Sequence, residues 1–232
     1  YRNLKPQLVS VAQEGKTVIQ QNSHLQVHPA FQPQEDGITF RLTPVFLDTV
    51  PGESPRLSNW TDLPVGTSIG HAEDIQPTLQ MITGPAVLAD SETFRVAWNR
   101  GTLWTESKAD IVFAITHPGD KEYKPAVQQA QITIPVRNTK GSSQQISFAK
   151  LPDVKRGVRS IPLQAVSNSG LPVGFYVESG PAYVDGTRLI LTPIPPKATY
   201  PVKVTVIAWQ YGRKSAPQVQ TAEPVRQTFY IR

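Results

Sequence analysis

Gly84-Pro85-Ala86 returns as Gly180-Pro181-Ala182, and matching residues follow both copies. Thr93-Phe94-Arg95-Val96-Ala97-Trp98 comes after the first triplet, and Thr187-Arg188-Leu189-Ile190-Leu191-Thr192 after the second. Ile111 to Ile115 then match Val204 to Ala208, Gly119 matches Gly212, and the closing segments are Gln131 to Val136 and Thr228 to Ile231. Self-similarity on this scale means one supersecondary unit used twice. Pro85 and Pro181 sit beside Gly84 and Gly180, so each triplet reads as a turn that shapes the scaffold.

Working outward, Asp36-Gly37-Ile38-Thr39-Phe40 lines up with Gln144-Gln145-Ile146-Ser147-Phe148 as the opening strand of each copy. Ser68-Ile69 and Ala72 line up with Ser160-Ile161 and Ala165. The offset drifts along the chain, as expected where surface loops change length at small cost. On this alignment residues 1–35 have no counterpart. Leu8-Val9-Ser10-Val11 and Leu25-Gln26-Val27-His28 read as strands added to the first sandwich, with the tail of a preceding domain as the alternative. The small polar run Asn138-Thr139-Lys140-Gly141-Ser142-Ser143 marks the boundary, giving a first domain over 36–138 and a second over 139–232.

Val202, Val204, Val206 and Ala208 alternate with other residues and share one face, the period of a half-buried strand. Asp185-Gly186 between two such runs predicts a tight hairpin, whereas Asp90-Ser91-Glu92 predicts a differently shaped loop in the first copy. The 22 Pro outnumber the 15 Gly and are spread throughout, which disfavours long helices and suits strands joined by turns. Several short strands per copy predict an all-β chain of two tandem immunoglobulin-like antiparallel β-sandwiches. With 39% apolar residues, 232 residues suffice for two modest cores. There is no cysteine, which removes disulfides, thiol catalysis and cysteine-ligated zinc. No apolar run reaches the roughly 20 residues of a membrane helix. Tyr1 begins neither with an initiator Met nor with a signal peptide, so the chain reads as a piece of a longer, processed protein.

Ser169-Gly170-Leu171-Pro172-Val173, Ser179-Gly180-Pro181-Ala182 and Ala208-Trp209-Gln210-Tyr211-Gly212 together resemble the bacterial immunoglobulin-like repeat of large secreted or cell-surface proteins. The likeness is specific over about 142–232. It is weaker over 36–137, where Ile75-Gln76-Pro77-Thr78 and Thr116-His117-Pro118-Gly119 replace two of the motifs. The resemblance implies an extracytoplasmic accessory module beside a catalytic domain, often polysaccharide-degrading, or an adhesin spacer. Its implied partners are neighbouring domains of the same chain and polysaccharide. It carries no catalytic residues, and no cofactor is expected.

Nucleophile elbows, phosphate loops, zinc-protease motifs and dinucleotide fingerprints do not occur in the chain. His24 and His28 share a strand face without a third ligand and read as surface imidazoles; His71 with Glu73 and Asp74 reads as a solvated polar loop. No metal site is expected. Trp209 and Tyr211 fall on the face opposite the valines, where they either stack on a sugar or pack under a loop or domain junction. Trp98 and Trp104 around the Asn99-Arg100-Gly101 turn, and Trp60 in the one-sided 51–64 insertion, pose the same alternatives. Gly84, Pro85, Gly180, Pro181, Gly186 and Gly212 are expected to shape turns. Lys150, Lys155, Arg156 and Arg159 form either a solvated loop or a contact for an acidic polysaccharide or membrane surface; the net charge of +5 is small for this length. No module for nucleic acid is present. Asn59-Trp60-Thr61 fits the N-glycosylation pattern.

Overall fold

The computed structural model describes residues 3–20, 26–52 and 60–232. Every regular element among them is a strand. The chain divides into two compact units: Tyr1–Gln34, Thr39–Val96 and Lys108–Ile134 form unit 1, and Glu35–Ile38, Ala97–Ser107 and Pro135–Arg232 form unit 2. The main division falls at 134–135. Residues 1–34 group with unit 1, and the segment 97–107, expected in the first domain, groups with unit 2.

Unit 1 contains β1 (Leu8–Gln13), β2 (Lys16–Val18), β3 (Gln26–Val27), β4 (Thr39–Arg41), β5 (Thr43–Leu47), β6 (Thr78–Thr83), β7 (Ala86–Leu88), β8 (Thr93–Val96), β9 (Lys108–His117) and β10 (Ala126–Pro135). One layer is the sheet β3-β10-β9-β6. The other combines β4-β8-β7 with β2-β1-β5, since β4 and β5 are successive stretches of one strand interrupted at Leu42. Phe40, Phe94 and Phe113 face each other across the layers, with ring centroids 5.7, 6.3 and 4.9 Å apart. Leu42, Ile111, Ile115 and Ile132, all fully buried, pack around them. Their burial, rather than hydrogen bonding, is what drives the two layers together.

Unit 2 repeats the plan with β11 (Ile146–Phe148), β12 (Ser160–Pro162), β13 (Ala165–Ser167), β14 (Gly174–Ser179), β15 (Ala182–Asp185), β16 (Arg188–Leu191), β17 (Val202–Trp209) and β18 (Val225–Ile231). The layers are β14-β17-β18 and β12-β16-β15, the latter extended by the β11-β13 pair. In both units the chain crosses from one layer to the other at the repeated triplet, between β6 and β7 and between β14 and β15. Gly84 and Gly180 sit there at φ +124° and +105°. A Cβ at Gly84 would lie 2.6 Å from Asp110 O, and one at Gly180 would lie 2.7 Å from Lys203 O. Only glycine meets both demands. The strand before each crossover carries the same irregularity, a register shift at Met81/Thr83 and at Val177/Ser179.

The register also corrects the alignment read from sequence. Phe40 of β4 pairs with Phe94, and Ile161 of β12 pairs with Leu189, so β4 corresponds to β12 and not to the strand at 146–148. The counterpart of that strand is β1: β1 pairs with β5 as β11 pairs with β13. Residues 1–35 therefore do contain a strand with a partner in the second copy. Ser68, expected to match Ser160, instead bridges Thr49 inside unit 1. The Asp185-Gly186 hairpin forms as expected, with Asp185 opposite Arg188 and Gly186 at φ +57°. In the first copy, Asp90 shapes the wider turn by accepting from the N–H groups of Glu92 and Thr93.

Candidate functional site

Four of the five aromatic residues singled out from sequence lie together in unit 2. Trp98 is centred 5.5 Å from Trp104, 6.4 Å from Trp209 and 5.9 Å from Tyr211. Tyr211 and Trp98 are each only 2% exposed. Trp104 and Trp209 are half-buried. Alternation along β17 predicts an outward direction beyond Ala208, but the strand ends at Trp209 and the connector turns Tyr211 inward. Its hydroxyl donates to Pro135 O at 3.1 Å, and burial pushes its pKa up to about 12. Trp60 belongs to unit 1 and is half-buried; residues 53–59 of its insertion, including Asn59, lie outside the described residues.

Each ring is committed to neighbours. Trp209 stands opposite Gly174 on the paired strand, and a Cβ at Gly174 would come within 2.6 Å of the indole. The absent side chain lets the ring lie across the strand. Trp104 Nε1 donates to Tyr176 Oη at 2.9 Å, and the Arg137 guanidinium sits 5.7 Å from its ring. Arg137 in turn pairs with Glu223 through both carboxylate oxygens, at 2.5 and 3.0 Å. The indole N–H groups of Trp98 and Trp209 are buried with no described acceptor. Such a cluster is built by burying aromatic area, with stacking geometry a secondary gain.

A second constellation, missed in the sequence reading, occurs once in each unit. In unit 1 the buried Gln7 amide donates to His117 Nδ1 and to Lys124 O, both at 2.8 Å. Gly119 N–H also donates to His117 Nδ1 at 3.0 Å, so that nitrogen is an acceptor and the proton resides on Nε2. Nε2–H donates to Ile75 O at 3.0 Å. In unit 2 Gln144 Nε2 donates to Gln220 O at 2.6 Å and to Gln210 Oε1 at 3.4 Å. Gly212 N–H donates to that same Gln210 oxygen, and Gln210 Nε2 donates to Pro172 O at 2.8 Å. Histidine in one copy and glutamine in the other thus present an acceptor and a donor at matching places. The signal was present as Gln7-x-Val9-Ser10-Val11 against Gln144-x-Ile146-Ser147-Phe148.

His24 lies outside the described residues. His71 stacks on Phe46, 4.2 Å between centroids and 3° between planes, and its Nδ1–H donates to Ala72 O. Among the described residues no three His, Cys, Asp or Glu side chains come together as metal ligands. Nor is any described helix long and apolar enough to cross a membrane. The shifted carboxylates are turn and strand-end caps. Asp120 is held low by the N–H groups of Tyr123 and Glu122, and Asp153 by hydrogen bonds from Arg232 and the Tyr230 N–H. Unit 2 also has an open groove of about 1000 Å³ between β13 and the start of β14, lined by Phe148, Leu163, Ala165, Val173 and Phe175.

No protein-family model matches the chain. No curated protein matches it by sequence. Among solved structures it is similar to the human protocadherin-24 EC1-2 fragment, with 10% identity, 99% of each chain covered and a TM-score of 0.30. It is also similar to the mouse cadherin-23 EC22-24 fragment, with 8% identity, 97% of this chain and 67% of that one covered, and a TM-score of 0.28. A third likeness is to an endo-fucoidan hydrolase of glycoside hydrolase family 107, with 15% identity over 67% of this chain and 23% of that one, at a TM-score of 0.26.

Proposed function

We propose that this chain is a non-catalytic structural module of a longer extracytoplasmic protein, spacing or supporting a neighbouring domain. The observation that carries the reading is the pair of buried latches, Gln7–His117–Gly119 and Gln144–Gln210–Gly212. In both copies the buried polar side chains close connectors onto strand ends, which is work for the scaffold and not for a substrate. The resemblance of 142–232 to bacterial immunoglobulin-like repeats supports the same role and the same setting. Single-molecule pulling on the chain tests it: two separate unfolding events are expected, one per sandwich. Turnover of an ester, glycoside or phosphate ester that disappears on substituting a residue of this chain overturns the reading.

Adhesion is a second reading, favoured by the edge strands. β7 and β15 each lie at the edge of a layer, where Val87, Leu88 and Tyr183 are 42%, 59% and 54% exposed. Binding to a protein partner that Val87→Glu or Tyr183→Glu abolishes would select it. Glycan binding lost in Trp104→Ala or Trp209→Ala, the half-exposed members of the ring cluster, would select a sugar platform instead.

A further inference from the structure

We infer that unit 2 carries a binding site for an acidic sugar, in the cavity where residues 156–159 face the end of β16. The cavity is about 470 Å³ and is lined by Arg156, Arg159, Tyr200 and the aliphatic side chains of Ile190, Ile194 and Ile231, among others. That volume falls within the roughly 300–1,000 Å³ range of small-ligand sites. Its walls are tied to the sheets. Leu191 N–H donates to Arg159 O at 2.9 Å, Arg156 N–H to Arg232 O at 3.1 Å, and Arg232 N–H to Val154 O at 2.9 Å. Gly157, at φ +90°, turns the chain between the two arginines.

The two guanidinium groups are prepared for an anion in different ways. Arg156 lies with its Cζ 3.5 Å from the centre of the Tyr200 ring. Stacking occupies the face of the guanidinium and leaves its edge N–H donors available, at a reduced entropic cost of ordering. Arg159 is exposed. Among the described residues neither arginine has a carboxylate partner, whereas Arg41, Arg137, Arg226 and Arg232 each have one. The nearby acid, Asp153, already takes two bonds from Arg232, at 2.8 and 2.5 Å. Segments 150–160 and 182–203 contribute Lys150, Lys155, Arg156, Arg159, Arg188, Lys197 and Lys203 against Asp153 and Asp185. The local field therefore favours an anion although the whole chain is only mildly basic.

Charge sets the anion and the floor sets its body. Ile190, Ile194, Ile231 and Tyr200 offer an apolar surface suited to the C–H face of a pyranose ring, while the arginine edges match a carboxylate or a sulfate. Both substituents share this chemistry. A lipid headgroup fits less well, because a concave site beside an aliphatic floor selects a ring and not a plane.

Affinity electrophoresis and thermophoresis of the complete chain at physiological salt test the assignment. The probes are polygalacturonate fragments, dextran sulfate, neutral dextran, and vesicles of phosphatidylserine with phosphatidylcholine. Binding to one or both acidic polysaccharides and none to neutral dextran is expected, and which of them binds identifies the substituent. Arg156→Gln with Arg159→Gln should weaken that binding at least tenfold, with thermal unfolding unchanged. Lys150→Gln with Lys203→Gln, which removes the same two charges at positions that do not line the cavity, should change it less than twofold. Equal losses in both variants mean diffuse attraction and overturn the site. Absence of binding to either acidic polymer, or vesicle binding that neither polymer displaces, overturns it as well.

Discussion

The same strand plan sets three aromatic rings at the centre of one unit and aliphatic side chains at the same three places in the other, whose own buried rings, Phe148 and Phe229, lie on β11 and β18. Phe40, Phe94 and Phe113 meet at the centre of unit 1, and Ile161, Leu189 and Val206 occupy the corresponding places in unit 2. Around these cores the connectors diverge. Unit 1 has the long stretch 48–77 between β5 and β6, which stacks His71 on Phe46 and gives its Ala72 N–H to Gln7. Unit 2 has only 168–173 between β13 and β14, and Ser167 at the end of β13 and Ser169 in the connector donate to Gln144 instead. The lesson is that the latch and the crossover are what the fold requires, because they survive complete replacement of the side chains packed on them.

The largest expected effect concerns the crossover. Gly84→Ala and Gly180→Ala each place a Cβ within 2.7 Å of backbone at positive φ, so neither can be relieved by a side-chain movement. Each should cost on the order of 4 kcal/mol or unfold its own unit while sparing the other. Urea unfolding followed by tryptophan and far-UV signals would show this as a biphasic transition. Gly186→Ala is the control: its φ is +57° but no atom lies within 4 Å, so about 1–2 kcal/mol is expected. Equal effects at Gly180 and Gly186 would break the claim that close backbone approach selects the glycine.

Next in size is the core comparison. Phe113→Ala should cost about 4 kcal/mol and Val206→Ala about 2, since the deleted volume differs. The measurement is the urea midpoint of the affected unit. A larger loss at Val206 would mean that the core of unit 2 is the less adaptable one.

Exchange at the latch sharpens the comparison further. His117→Gln should change stability by less than about 1 kcal/mol, because Gln210 already performs this part in the other unit. His117→Ala strands the Gln7 amide and the Gly119 N–H and should cost about 2–3 kcal/mol. Thermal unfolding of the two variants side by side decides it, and similar losses in both would break the proposed equivalence.

Smallest is the acid response. Asp90 and Asp120 in unit 1 are held low first by backbone N–H donors, and Asp153 in unit 2 first by Arg232. A carboxyl whose folded pKa is depressed adds stability above its unfolded value, about 4, and loses it as pH falls through the folded value. Melting temperatures should therefore fall below about pH 4, with a shallower decline for unit 2 in Asp153→Asn. Added salt should reduce the Asp153 contribution, which includes attraction to Arg232, more than that of Asp120.

Much of the scaffold was readable in the chain. The period-2 face of Val204, Val206 and Ala208, the Gly186 hairpin and the repeated triplet all depend on local rules of backbone geometry. The opening strands were matched wrongly because Thr39-Phe40 and Ser147-Phe148 look alike locally, and only pairing with β8 or with β13 tells them apart. The candidate site was less legible. Trp98 and Tyr211 are far apart in sequence, and no propensity states that their rings lie 5.9 Å apart. His117 resembled a departure from the Gln210 pattern, although its two nitrogens reproduce the acceptor and donor of the amide.

By itself the sequence determined an all-β chain built from two copies of one sandwich, with glycine where backbone must approach backbone. Those features follow from periodicity and from the steric limits on φ, which act over a few residues. Tertiary structure alone decided that β1 is a full member of the first copy, that segment 97–107 lies with unit 2, and that Tyr211 turns inward. It also brought Arg156 onto Tyr200 beside Arg159. These outcomes rest on burial and pairing between distant segments, whose partners no local pattern names.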